Sequence, residues 1–103
     1  MAHVGPAMTF RDFYPHYLEL HANPWCRRTH VLGVFAELPL LIIAAFTQLW
    51  WLLALAPPVI YGFAWAGHFL FAHNHPATFE HPLWSMLGFW RMMAEITTGK
   101  IAL

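Results

Sequence analysis

The chain has 103 residues, of which 59% are hydrophobic and 10% charged, whereas a typical soluble domain carries about 25% charged residues. A chain this short cannot enclose so much apolar surface in a water-soluble core, so lipid is the expected solvent for the remainder. The formal net charge of zero argues against a nucleic-acid binder, which needs a basic patch. The single cysteine, Cys26, excludes an internal disulfide and disfavours a cysteine-based zinc site.

The N-terminal part of the sequence predicts a leader and one surface helix. Residues 1–8 lack the basic and apolar regions of a signal peptide and are expected to be a loose leader. Thr9 and Asp12 have the spacing of a capping box, and an amphipathic helix is predicted over 9–22, with its aromatic residues at the membrane interface. Pro15 lies inside this segment, so a kink and a later helix start both remain open.

Two apolar segments, 29–47 and 49–72, follow and are separated by the polar pair Thr47-Gln48. No Asp, Glu, Lys or Arg occurs within 38–79. Helices joined by so short a turn are antiparallel neighbours, so the sequence predicts a transmembrane hairpin. The residues expected to interrupt or kink its arms are Glu37, Pro39, Pro57 and Pro58.

A second interfacial helix is predicted over 79–97, which completes a single all-α domain: a membrane helical bundle with a central hairpin. The basic residues lie before and after the hairpin, and its tip carries none. The positive-inside rule then places both termini in the cytoplasm, of a bacterial inner membrane or of the endoplasmic reticulum according to source. A homo-oligomer that buries the polar site is left open.

Eight histidines are unusual in a chain with so few charged residues. Those just before the first arm are His16, His21 and His30, and those at or after the end of the second arm are His68, His73, His75 and His81. A hairpin brings both sets to one membrane face, where imidazoles are suited to hold a metal ion. His68 is the strongest candidate, because an ionisable residue in an apolar segment is a functional suspect; the alternative is a histidine that hydrogen-bonds a neighbouring helix.

Two sequence signatures resemble those of a small membrane family of iron(II)-dependent 2-hydroxy fatty acid dioxygenases. The first comprises FRDFYPHYLELH at 10–21, Pro24, Arg27, Arg28, His30 and Gly33, and the second comprises residues 67–69, 74–79 and 82–85. The resemblance implies an enzyme at the membrane that uses molecular oxygen to shorten a 2-hydroxy fatty acid by one carbon. Several relatives carry Glu where this chain has Ala72.

The resemblance also implies roles for individual residues. His21, His30 and His68 match the family's characteristic histidines and are expected to be catalytic and to bind Fe(2+). His73 is the expected further ligand, with His75 and His81 as alternatives for that position. The chemistry of a bound 2-hydroxy acid suggests further contacts: Arg28, with Arg27 as the alternative, is expected to pair with the substrate carboxylate. The aromatic residues expected along the aliphatic tail are Trp50, Trp51, Phe63 and Trp65.

Three other functions remain open at this point. A non-catalytic scaffold or lipid-binding module would use its histidines only to hold helices together. A haem-binding bundle would use two histidines from different helices as axial ligands. A di-iron hydroxylase or desaturase is disfavoured, because the closely spaced histidine pairs of those enzymes are absent from the sequence.

Overall fold

A computed structural model describes residues 8–103, which form four α-helices and no β-strand. The α-helices are α1 (Phe10–Leu20), α2 (Pro24–Thr47), α3 (Ala56–Gly67) and α4 (Pro82–Thr97). Shorter helical segments are the 3₁₀ segments Trp50–Leu55 and Ala77–Phe79 and the π-helical turn His68–Ala72. The predicted all-α fold is confirmed.

Helix α1 carries the aromatic face that packs into the core of the protein. The Thr9 side chain caps it by accepting a hydrogen bond from the backbone N–H of Asp12, and this explains why the helix begins at Phe10. Pro15 lies inside the helix without ending it. The buried face of α1, which includes Phe13 and Tyr17, packs against Phe89 and Met92 of α4.

Helix α2 begins at Pro24, five residues before the expected start of the first arm at 29. The Asn23 side chain accepts hydrogen bonds from the backbone N–H groups of Trp25 and Cys26, and proline suits the first helical position. The arginine pair at 27–28 therefore belongs to the helix rather than to a preceding loop.

The hairpin consists of α2 and a second arm, Trp50–Ala72, which continues from 3₁₀ helix through α3 into the π turn. Gln48, in the left-handed conformation with φ 58°, makes the turn between the arms. Pro57 and Pro58 fall in the first turn of α3, where proline is tolerated, directly after the change from 3₁₀ helix to α-helix within the arm.

Both arms are long and apolar enough to cross a membrane. In their most apolar stretches only 22% and 17% of the residues are buried within the protein, unlike the core helices of a soluble protein. Large apolar side chains, such as Phe35, Ile42, Phe46 and Leu70, remain exposed along them. The outer surface of the hairpin therefore matches a lipid environment better than water.

Close backbone packing joins the two arms near their histidine-bearing ends. A Cβ atom built on Gly67 would lie 1.9 Å from Oγ1 of Thr29, and one on Gly33 would lie 3.1 Å from Cβ of Phe63. These contacts require glycine at position 67. They also place the end of α3 directly beside the first turns of α2, which brings His30 and His68 to the same level.

Candidate metal centre

Three histidines from three different elements meet at the base of the hairpin. His21 lies at the end of α1, His30 in the second turn of α2, and His68 at the start of the π turn. Nε2 of His21 lies 3.0 Å from Nε2 of His30 and 3.0 Å from Nε2 of His68. All three side chains are buried, with exposed fractions of 1–2%. Their clustering confirms that the hairpin brings histidines from its two ends together.

In each of the three rings, the hydrogen-bond partner of Nδ1 determines which nitrogen carries the proton. Nδ1 of His21 lies 2.6 Å from the carbonyl oxygen of Tyr17, and Nδ1 of His30 lies 2.7 Å from that of Cys26. Nδ1 of His68 lies 2.7 Å from Oδ1 of Asn74. Carbonyl and amide oxygens only accept hydrogen bonds, so each Nδ1 carries the proton and each Nε2 presents a lone pair.

Three lone pairs therefore converge in a buried space. The lone pairs repel one another unless a cation lies between them. Burial and the neighbouring rings of His30 and His68 hold the pKa of His21 well below its usual value, which keeps that imidazole neutral. Ligand atoms about 2.1 Å from one ion and at right angles to each other lie about 3 Å apart, as these do. The residues thus fit a divalent transition metal held by three neutral imidazoles with fixed tautomers.

A cavity of about 450 Å³ opens from the three histidines into the hairpin. Its lining is mostly apolar and extends from His21, His30 and His68 to Leu41 and Leu53, near the turn between the arms. Helix α4 closes one side with Ser85, Met86, Phe89 and Trp90. The three Nε2 atoms therefore lie at one end of an apolar space that extends toward the hairpin turn, as expected for a site that receives an amphiphile.

The other histidines of residues 8–103 lie outside the cluster. The ligand atoms that lie within 4.8 Å of one another belong to His21, His30 and His68, and His73 is not brought to them. His73 ends the π turn in the left-handed conformation with φ 54°, and its side chain is exposed. His75 pairs with Glu80, the carboxylate that also contacts His16. His81 packs against Phe13, with 5.5 Å between ring centroids.

Arg28 is not placed for the role expected from the sequence. Its guanidinium carbon lies 4.4 Å from the centre of the Trp25 ring, and it donates a hydrogen bond to the carbonyl oxygen of Leu103. Arg28 is not among the residues that line the cavity. The reason is its position on α2, two residues before His30, which directs it about 160° away from the buried face.

Of the four aromatic residues expected along a bound tail, Trp65 lines the cavity. Trp50 and Trp51 lie on the outer surface of the hairpin, with exposed fractions of 58% and 63%, and Phe63 is also exposed. Their position follows from the 3₁₀ segment at the start of the second arm and from the helical phase of α3.

Three residues contribute polar groups at the site that the sequence did not predict there. Oδ1 of Asn74 accepts a hydrogen bond from Nδ1 of His68, and the only signal in the sequence is its position between two histidines and before Pro76. Trp65 lines the cavity with a buried indole N–H that has no hydrogen-bond partner in the described part of the chain. Glu37 also lines the cavity and is buried, although the sequence marked it only as an interruption of the first arm.

Comparison with known proteins identifies the family alone. Neither a curated protein nor a solved structure gives a significant match to this chain. A family model described as "2-hydroxy-palmitic acid dioxygenase Mpo1-like" matches residues 7–101, which is nearly the whole chain and includes all three clustered histidines. The chain belongs to this Mpo1-like family.

Proposed function

We propose that this protein is a membrane-embedded, iron(II)-dependent dioxygenase that shortens a 2-hydroxy fatty acid by one carbon. The observation that carries the proposal is the convergence of the Nε2 atoms of three buried histidines at one end of a mostly apolar cavity. The family description supplies the substrate class. Overall, R–CH(OH)–COOH and one O₂ give R–COOH, CO₂ and H₂O, with O₂ accepting the four electrons that the two carbons lose.

His21, His30 and His68 would hold the metal. Iron(II) bound there supplies open coordination positions for oxygen and substrate, which three protein ligands leave free. The chain's own contribution is to keep the three imidazoles neutral and oriented through their Nδ1–H hydrogen bonds, and to exclude bulk water from them by burial.

The Trp65 indole is the proposed donor for the substrate carboxylate. Trp65 lies three residues before His68, one turn away on the same face of the helix, and its buried N–H has no hydrogen-bond partner among residues 8–103. A ligand oxygen near the histidines would satisfy this donor, which is otherwise costly to bury. Because Arg28 lies outside the cavity, Trp65 takes the role that the sequence suggested for that arginine.

The aliphatic tail would occupy the apolar length of the cavity between the arms. With the hairpin in lipid, the substrate would enter from the bilayer and keep its polar head at the histidine end, on the side of the two termini. The proposed orientation has that side in the cytoplasm, because the basic residues flank the hairpin and none lies at its tip. One chain supplies all three histidines, so the site needs no second copy to complete it.

The proposal is tested by metal analysis and turnover of protein purified in detergent. Wild-type protein is expected to bind one iron per chain and to consume oxygen with 2-hydroxypalmitate, releasing pentadecanoate and labelled CO₂ from the 1-¹³C acid. His68→Ala should lose both properties. His73→Asn is the matched control, since it removes an exposed histidine outside the cluster, and asparagine tolerates the left-handed backbone at that position.

The outcomes also separate the competing functions. A wild-type protein that binds no stoichiometric metal would support the scaffold or lipid-binding alternative and contradict the proposal. Equal loss of iron in His68→Ala and His73→Asn would refute the three-histidine site. A Soret band would indicate haem, although two Nε2 atoms 3.0 Å apart leave no room for a porphyrin plane between them.

A further inference from the structure

Glu37 is an unusual residue for the interior of this protein. It lies midway along α2, is 6% exposed, and lines the same cavity as the three histidines. None of the residues 8–103 gives its carboxyl group a hydrogen bond or an ion pair. The carboxyl oxygens are not among the fully buried polar atoms that lack a partner in the described residues, so they are accessible from the cavity, and a ligand that enters it is the expected partner.

The helix geometry places Glu37 at a defined depth in the cavity. It follows His30 by seven residues, which is nearly two full turns, so both side chains lie on one face and are separated by about 10 Å along the axis. Gly33 lies against Ile60 and Phe63, whereas Gly67 lies against Cys26 and Thr29, so the two arms run antiparallel. Glu37 therefore faces the start of α3, toward the hairpin turn and away from the metal-binding end.

The surroundings of Glu37 offer no compensating positive charge. The nearby lining of the cavity is apolar and includes Leu41, Pro57 and Ile60. The second arm also contributes the hydroxyl group of Tyr61 to this lining. The described part of the chain has no Lys or Arg in the cavity lining. The ligand is the expected source of the group that meets Glu37, and a hydrogen-bond donor would satisfy the ionised carboxylate.

We propose that Glu37 binds a hydroxyl group in the middle of the substrate's acyl chain, so that the preferred ligand carries a second hydroxyl besides the one near its carboxyl group. This inference rests on the proposed function for placing the carboxyl head at the histidines. A separation of about 10 Å corresponds to about eight carbon–carbon bonds of an extended chain, which puts the second hydroxyl near carbon 10.

A hydroxyl group fits this position better than other donors. An ammonium group would bring a full charge into an apolar cavity, where losing the hydration of two ions offsets much of their attraction. A carboxylate on the ligand would repel an ionised Glu37, and a ketone could pair with Glu37 only in its protonated form. A hydroxyl group is neutral, donates to Glu37, and can accept from the Tyr61 hydroxyl on the facing arm.

The test measures binding of fatty acids that differ only in the position of one hydroxyl, so it needs neither iron nor turnover. Protein in nanodiscs is titrated with octadecanoate, 10-hydroxyoctadecanoate and 18-hydroxyoctadecanoate in competition with a radiolabelled octadecanoate. The 10-hydroxy acid should bind wild-type protein at least about tenfold more tightly than octadecanoate, a difference of about 1.4 kcal/mol. The 18-hydroxy acid should show no such advantage.

Substitution of Glu37 then links the preference to this side chain. In Glu37→Leu the ratio of the two affinities should fall to about one or below, because octadecanoate gains affinity when the buried carboxyl is removed. Glu19→Gln, at an exposed position on α1, should keep the wild-type ratio. If Glu37→Leu does not fold, the comparison of the three fatty acids on wild-type protein still tests the preference for a hydroxyl group in the middle of the chain.

The results distinguish failure of this inference from failure of the proposed function. Binding of octadecanoate without any effect of hydroxyl position, or a ratio unchanged in Glu37→Leu, would overturn the role of Glu37 and leave the dioxygenase proposal intact. If no fatty acid binds to the wild-type protein, both proposals fail together.

Discussion

His68 and Asn74, six residues apart in sequence, are joined by a hydrogen bond of 2.7 Å between Nδ1 and Oδ1. The π turn makes this possible, because the backbone N–H of Asn74 also returns to the carbonyl oxygen of His68. The Asn74 amide nitrogen donates in turn to the carbonyl oxygen of Leu20, directly before His21. One side chain thus positions two of the three clustered histidines.

Replacing Asn74 with Leu should lower the affinity for iron(II) by about 10–100-fold, because the His68 ring loses the acceptor that fixes its tautomer and orientation. Competition with a chelator of known affinity measures this. Asn74→Asp keeps the acceptor oxygen and should retain most of the affinity. Equal affinities of the wild-type and Asn74→Leu proteins would show that Asn74 does not position the site.

Trp65→Phe should weaken binding of 2-hydroxypalmitate by about tenfold, because it removes a hydrogen bond to a charged oxygen and keeps an aromatic ring. The affinity of 2-hexadecanol, which has no carboxylate, should not change. Trp90→Phe is the matched control, since Trp90 lines the same cavity but is half exposed. The same loss for both ligands would contradict a specific contact with the carboxylate.

Gly67→Ala should destabilise the protein and reduce its iron content, because the added Cβ would lie 1.9 Å from Oγ1 of Thr29 and force the arms apart beside His30 and His68. Overpacking of this kind typically costs about 1–3 kcal/mol. Gly62→Ala is the control, as a Cβ there meets no atom within 4 Å. Thermal unfolding in detergent compares the two variants, and similar melting temperatures would argue against the close approach.

Stability at acidic pH should depend on Glu80, which joins His16 of α1 to His75 of the loop. Burial alone would raise the pKa of this carboxyl, but hydrogen bonds from the two histidines lower it below its ordinary value of 4.5. A lowered pKa in the folded state contributes stability above the unfolded-state pKa, and this is lost as the pH falls through the folded-state pKa. The melting temperature of wild-type protein should therefore decline below about pH 4.5 more steeply than that of Glu80→Gln, and parallel profiles would contradict this role.

The sequence by itself determined the class of fold and the topology that gathers the histidines. Its long uncharged stretch with one short polar break allowed little besides two antiparallel helices, because apolar periodicity and length are local properties. From that topology the meeting of histidines from the two ends of the hairpin followed directly. Helix α2 begins at Pro24 and not at the expected residue 29, because the cap formed by Asn23 depends on side-chain geometry.

Only the tertiary structure decided which histidines meet and which polar groups face them. His73 and Arg28 satisfied the sequence pattern, yet a left-handed residue at the end of a π turn and the helical phase of α2 direct them away from the cavity. Glu37, Trp65 and Asn74 lie at the site because helical phase and backbone conformation direct their side chains toward the cavity or the histidines. Hydrogen-bond satisfaction and helix phase are properties of packed neighbours, and neighbours distant in sequence are fixed only when the arms close on each other.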